Sequence, residues 1–215
     1  MRGEAARQAR GELLAAHERE LWRRGFTRIA GVDEAGMGPL AGPVVAGAVI
    51  LPPGVLIPGA DDSKALSEKR RESIALQIRA QALACAVGIA TPREIDRINI
   101  RAAGLLAMRR AVLALDPAPD YLLLDARTLP EFSLPQEGPV RGDATFHIVA
   151  CASILAKTHR DALMRRYDRR YPAYGFAQHK GYGTARHLAA LRAHGPTPIH
   201  RKSFEWGQSQ LSLFT

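Results

Sequence analysis

Cysteine is almost missing from this chain of 215 residues: Cys85 and Cys151 are the only two, far apart and without a partner motif. That excludes a disulfide framework and a cysteine zinc site, and it suits a reducing compartment. Long apolar runs are missing too. The longest, from Ala41 to Leu51, has eleven residues and contains Pro43, whereas a membrane span needs about 20. The N-terminus lacks the apolar middle of a secretory signal, and Glu4, Glu12, Glu18 and Glu20 are out of place in an acid-poor transit peptide. A cytoplasmic location without a membrane partner is therefore expected. Lysine is scarce, with five against 25 arginines, and acids are outnumbered 21 to 30, which leaves a net charge of +9. Such a surplus suits a polyanion such as nucleic acid, although an Arg- and Ala-rich codon bias produces the same excess. Hydrophobic residues at 47% and charged ones at 24% exclude a disordered or collagen-like chain. Folding at this length buries roughly 70% of the unfolded surface, enough for a core without staples.

No repeat, low-complexity tract or Gly/Ser linker divides the chain, so residues 1–215 read as a single domain. Residues 1–25 hold an amphipathic helix, from Glu4 to Arg24, with Leu13, Leu14, His17, Leu21 and Trp22 on one face. Strands are expected at Arg28–Asp33, Pro43–Leu51, Leu83–Ile89, Tyr121–Leu124 and Gly138–Arg141. Ser67 caps a helix reaching about Gln81. Thr91-Pro92-Arg93-Glu94 is a capping box with proline at the first helical position. Further helical patterns cover Arg101–Leu115, Ile148–Tyr171 and Ala185–Ala193, the last with Thr184 as cap and Gly195 past its end. Strands alternating with helices imply an α/β layer fold. Residues from about 175 to 215 form a small helical extension.

Carboxylates end three of the apolar segments: Asp33-Glu34, Asp125 and Asp143. In open α/β sheets, ligand sites lie beyond the carboxyl ends of the strands. Taken singly, each acid reads more readily as a solvated strand terminus. If the strands are neighbours, four like charges converge and need cations between them. Hard oxygen ligands suit Mg2+ or Mn2+, and two such ions about 3.5–4 Å apart clamp a phosphodiester for in-line hydrolysis. The loop Ala35-Gly36-Met37-Gly38-Pro39-Leu40-Ala41-Gly42-Pro43 follows directly. Its glycines let backbone groups approach a sugar or phosphate closely. Neither a Walker motif nor a dinucleotide fingerprint fits, since no Gly-Lys-Ser/Thr follows and the segment leads to a strand.

Other candidates read two ways. Tyr182 between Gly181 and Gly183 is a ring presented for stacking on a sugar or base, or a ring packed on its loop. Lys157 and Arg160, at i and i+3, could track a phosphate backbone or form a solvated helix face. Lys180, beside Tyr182, is a similar case. No histidine pair has metal-ligand spacing, and no Gly-x-Ser-x-Gly elbow is present.

Gly31-Val32-Asp33-Glu34-Ala35-Gly36-Met37-Gly38-Pro39-Leu40-Ala41-Gly42-Pro43-Val44 closely resembles the signature of bacterial ribonuclease HII. Further blocks match that family in order: Asp62-Ser63-Lys64-Ala65-Leu66-Ser67, Asp96-Arg97-Ile98-Asn99-Ile100, Ala152-Ser153-Ile154-Leu155-Ala156-Lys157 with Arg160-Asp161, His179-Lys180-Gly181-Tyr182-Gly183-Thr184, and His200-Arg201-Lys202-Ser203-Phe204. The resemblance implies a ribonuclease H-like fold, a mixed five-stranded sheet flanked by helices. It implies cleavage of the RNA strand of RNA–DNA hybrids and nicking 5′ of ribonucleotides embedded in duplex DNA, with 3′-hydroxyl and 5′-phosphate products. The family's four acids fall on Asp33, Glu34, Asp125 and Asp143, with Asp33 bridging two divalent ions. Its 2′-hydroxyl-reading loop falls on Gly36-Met37-Gly38, its junction-sensing tyrosine on Tyr182, and its Asp-Ser-Lys basic residue on Lys64. The partner so implied is nucleic acid, with no obligate protein partner and a monomeric chain. Two departures stand out: Met37 replaces an arginine and Ala126 a glycine. The first motivates an alternative, a hybrid-binding protein with weakened cleavage. Another two-metal nuclease of the same fold is a second alternative.

Overall fold

The computed structural model describes residues 9–60, 63 and 66–204. Its elements follow the local signals closely. Helix α1 spans Ala16–Arg23, continuing helical residues 9–14 through a turn at Ala15. Strands β1 (Ile29–Ala35) and β2 (Val44–Ile50) flank the glycine loop. Helix α2 (Glu68–Gln81) starts at Ser67, whose side chain accepts the Arg70 N–H. Strand β3 (Ala84–Ala90) leads to α3 (Pro92–Ile98), where the Thr91–Glu94 capping box is formed in both directions. Asn99 caps α4 (Ile100–Leu113). Strands β4 (Tyr121–Leu124) and β5 (Gln136–Glu137) follow, then α5 (Gly142–Thr145), the long α6 (His147–Arg170), α7 (Phe176–His179) and α8 (Ala185–His194).

Among the described residues the five strands form one mixed sheet in the order β3-β2-β1-β4-β5. Strand β2 is antiparallel to β1 and β3, whereas β4 runs parallel to β1 and β5 parallel to β4. Side chains alternate between faces along a strand. Ile29, Tyr121 and Leu123 enter the core beneath α1, α2 and α6; Ala30, Val32, Leu122 and Leu124 enter the one beneath α3 and α4. A third cluster, around Met164, Tyr174, Phe176 and Leu191, joins the far end of α6 to α7 and α8.

Three expectations change. The fifth strand lies at Gln136–Glu137, not at 138–141, because β4 offers it only Leu122 and Leu123 as partners. The Gln136 side-chain amide holds the Leu129 backbone on both sides, and Pro139, two residues past Glu137, has no N–H with which to continue the ladder. Asp143 therefore stands not at a strand end but in α5, entered through Arg141 in the left-handed region at φ 65°. Leu13 is 65% exposed, off the buried face of the N-terminal helix. That face runs through Leu14, Glu18 and Leu21 at i, i+4 and i+7.

Helix α6 is buried all round from His147 to Ala156 because it lies directly on the sheet. Small residues permit this approach. A Cβ at Gly31 of β1 would meet the Ile148 carbonyl oxygen at 2.3 Å, and one at Gly47 of β2 would meet that of Ala152 at 2.4 Å. The same packing sets Ser153 and Lys157 over the end of β1.

Candidate active site

At the carboxyl end of β1, alternation turns Asp33 toward α6 and Glu34 toward the opposite face. Parallel register pairs Val32 with Leu124, and the Asp125 N–H donates to the Val32 carbonyl at 3.2 Å. The next residues, Asp33 and Asp125, are thus side by side on adjacent strands about 4.8 Å apart. Asp125 in turn recruits the third segment, for its Oδ1 accepts the Gly142 N–H at 2.6 Å. A Cβ at Gly142 would meet the Leu124 carbonyl oxygen at 2.8 Å, so glycine lets α5 close on the strand end and deliver Asp143.

The four acids line one cavity of about 240 Å³ together with Gly36, Met37, Gly38, Ser63, Ser153, Lys157, Arg160 and Tyr182. Asp33 is only 5% exposed. Burial first, then the charges of Glu34 and Asp125, hold its carboxyl well above the usual range, against a hydrogen bond from Ser153. Ser153 also pairs with Ser63 at 3.0 Å. Both serines sit inside blocks that match the family, and the one signal that marks Ser153 in the sequence is its one-turn spacing from Lys157.

Among the described residues, no three acidic, His or Cys side chains are already converged as metal ligands. The donor chemistry nevertheless fits a hard divalent cation. A buried carboxylate flanked by like charges is unstable in its ionised form, and a divalent cation among them adds attractions that outweigh their mutual repulsion.

The other expected residues divide. Tyr182 is 46% exposed at the cavity rim. Its loop hangs on a histidine chain. His187 Nδ1 donates to the Tyr182 carbonyl at 2.9 Å, His187 Nε2 accepts from His200 Nε2 at 3.0 Å, and His200 Nδ1 accepts the Thr197 N–H at 2.9 Å. His179 stacks on His187 at 4.4 Å and accepts the Gly181 N–H at 3.1 Å. Burial pushes all three imidazoles down, His200 to about 4, which keeps them neutral. Lys157 reaches the cavity but also pairs with Asp161 at 2.8 Å. Arg160 is not on a solvated face: it is 1% exposed and donates to the Pro43 and Ala41 carbonyls. Lys180 does not line the cavity; its ammonium donates to Glu68 and the Ala177 carbonyl. Lys64 lies outside the described residues.

Residues 30–206 match the family model described as Ribonuclease HII. The chain belongs to the ribonuclease HII family. A Ribonuclease HII of Myxococcus xanthus is 57% identical over 203 residues, covering 94% of this chain and 69% of the relative. The ribonuclease H2 of Pyrococcus horikoshii superposes with a TM-score of 0.73 at 26% identity, over 87% of this chain and 98% of that one. An RNase HII of Archaeoglobus fulgidus, solved in complex with PCNA, gives 0.71 at 25% identity, over 86% and 100%. Ribonuclease HII membership makes the chain a metal-dependent endonuclease, a hydrolase of the ribonuclease H class, on a ribonuclease H-like fold. No helix among the described residues is long and apolar enough to cross a membrane.

Proposed function

We propose that this ribonuclease HII cuts the RNA strand of RNA–DNA hybrids and nicks duplex DNA 5′ of embedded ribonucleotides, leaving 3′-hydroxyl and 5′-phosphate ends. The observation that carries the reading is the convergence of Asp33, Glu34, Asp125 and Asp143 on one cavity with the glycine loop and Tyr182 on its walls. Mg2+ or Mn2+ is the cofactor that this oxygen-only donor set favours. When bound, the ions supply the positive charge that activates water and steadies the leaving oxygen. Asp33, which feels the charges of both Glu34 and Asp125, would hold the ions together with Asp125, Glu34 and Asp143. Ser153 orients the Asp33 carboxyl. Lys157 offers a cation to a neighbouring phosphate, and the Gly36–Gly38 backbone reads the 2′-hydroxyl. The exposed Tyr182 ring stacks at the ribonucleotide–deoxyribonucleotide junction.

Retention of all four acids favours an enzyme over a hybrid-binding protein. A protein partner of the kind bound by the Archaeoglobus relative fits the same reading. Cleavage itself needs none, since every side chain invoked lies on this chain, which we take to act as a monomer. The test is a nicking assay on duplex DNA carrying one ribonucleotide, with Mg2+ and Mn2+ in turn. Cutting is expected on its 5′ side, none on all-DNA duplex, and none by Asp33→Asn or Asp125→Asn. Wild-type rates in either variant, or cleavage that ignores the 2′-hydroxyl, would overturn the assignment.

A further inference from the structure

Behind the glycine loop lie the two largest fully buried side chains among the described residues, and both are arginines: Arg160 from α6 and Arg201 from the C-terminal segment. Arg201 donates from Nη2 to the Gly36 carbonyl at 2.5 Å, from Nη1 to that of Met37 at 3.0 Å, and from Nε to that of Gly42 at 2.9 Å. Arg160 holds the far limb of the loop, donating from Nε to Pro43 at 3.0 Å and from Nη2 to Ala41 at 3.2 Å. The Arg201 backbone N–H also donates to the Leu40 carbonyl at 2.9 Å, so the clamp is itself tied to the loop. Loop and clamp are shaped to each other. Gly36 sits at φ +97°, and a Cβ there would fall 2.2 Å from Arg160 Nε.

This grip has a consequence for the opposite side of each peptide. In a trans peptide the C=O and the following N–H point in opposite directions. Pinning the carbonyls of Gly36 and Met37 back against Arg201 turns the N–H groups of Met37 and Gly38 away from it, toward the cavity that these residues line. We propose that Arg201 is a specificity-determining positioning residue: its guanidinium fixes the Met37 and Gly38 peptides so that their N–H groups meet the ribose 2′-hydroxyl. This rests on the reading that the loop recognises the sugar. Arginine suits the task because its planar fork reaches three carbonyls at once, whereas a lysine ammonium is a point charge on a flexible stem.

The test uses an Asp33→Asn background with Ca2+ in place of Mg2+, so that binding is measured without cleavage. Affinities are compared for duplex DNA with one ribonucleotide and for all-DNA duplex of the same sequence. The background should prefer the ribonucleotide. Adding Arg201→Lys should cut that preference about tenfold, the value of one to two hydrogen bonds lost. All-DNA affinity should stay nearly constant, because phosphate contacts carry no information about the sugar. A folded Arg201→Lys protein with undiminished preference overturns the proposal, and so does an equal loss on both duplexes, which marks a merely structural role. A background that binds both duplexes alike overturns the sugar-reading function, and the proposal with it. If Arg201→Lys fails to fold, the unsubstituted arginine still decides. In the 15N-labelled Asp33→Asn protein the Met37 and Gly38 amide resonances should move on adding the ribonucleotide duplex and stay with all-DNA duplex; absence of that ribose-dependent shift overturns the proposal.

Discussion

Ala126 follows Asp125 at φ +52°, held by an N–H bond to the Pro139 carbonyl at 2.9 Å. The family glycine at this position tolerates that backbone freely, but a Cβ there costs roughly 1–2 kcal/mol. Part of this is offset because alanine narrows the unfolded ensemble. Ala126→Gly should therefore stabilise the protein by about 1 kcal/mol, read as a higher urea midpoint at unchanged slope. A lower midpoint would show that the strand end relaxes without strain. Met37 is the other departure, and its environment explains how it is accommodated. Its sulfur faces Gly104 of α4, where a Cβ would approach it to 3.2 Å, and the side chain packs on the core beneath that helix. An apolar plug thus occupies the place where the family carries a cation, while the backbone of Gly36 and Gly38 still borders the cavity.

Helix α6 organises both ends of the site, and its own N-terminus depends on another element. Phe146 supplies no side-chain cap. The buried Glu18 of α1 reaches in instead, its Oε1 accepting the Ile148 N–H at 2.9 Å. Burial outweighs these bonds and raises the Glu18 carboxyl to about 7. The folded protein therefore keeps a proton that the unfolded chain releases from about 4.5 upward. Stability falls as pH rises through this window and levels off above about 7, a total of about 3 kcal/mol at 1.36 kcal/mol per unit. Glu18→Gln keeps the acceptor oxygen and removes the titration. It should melt higher than the parent at pH 8 and no higher at pH 5. Equal shifts at the two pH values would show that the carboxyl is ionised throughout. The histidine chain under Tyr182 has the opposite sign: His200, depressed to about 4, contributes stability that is lost as pH falls below about 6.5.

At the scale of the molecule, a chain of net charge +9 carries its four site acids in one cavity. On the proposed reading, the net positive charge attracts the polyanion as a whole, and uncharged backbone reads the sugar. These contributions separate in a salt titration. Each neutralised phosphate adds about −0.9 to the slope of log affinity against log salt on B-form DNA. In the Asp33→Asn background with Ca2+, ribonucleotide and all-DNA duplexes should share one slope, and their affinity ratio should not change with salt. Slopes differing by about one unit would mean that sugar recognition recruits a phosphate contact of its own.

Local chemistry was enough to read much of this protein. Capping residues Ser67, Thr91 and Thr184 mark their helices, a β-branched run marks β2, and Asp33 and Asp125 at the ends of β1 and β4 mark two of the four acids that line the cavity. Such signals survive in the sequence because each depends on residues within a turn or two of one another. The sequence alone did not show that Asp33 lies beside Asp125, that Gly142 lets α5 deliver Asp143, or that Ser153 meets Asp33. Those depend on parallel register and on how closely a helix can lie on a sheet. Arginines illustrate the boundary best. Nothing local in the sequence marks Arg160 and Arg201 as buried, and only tertiary packing turns these two inward. A guanidinium can be buried where enough carbonyls converge to replace its water, and that convergence is a property of the assembled loop, not of any residue in it.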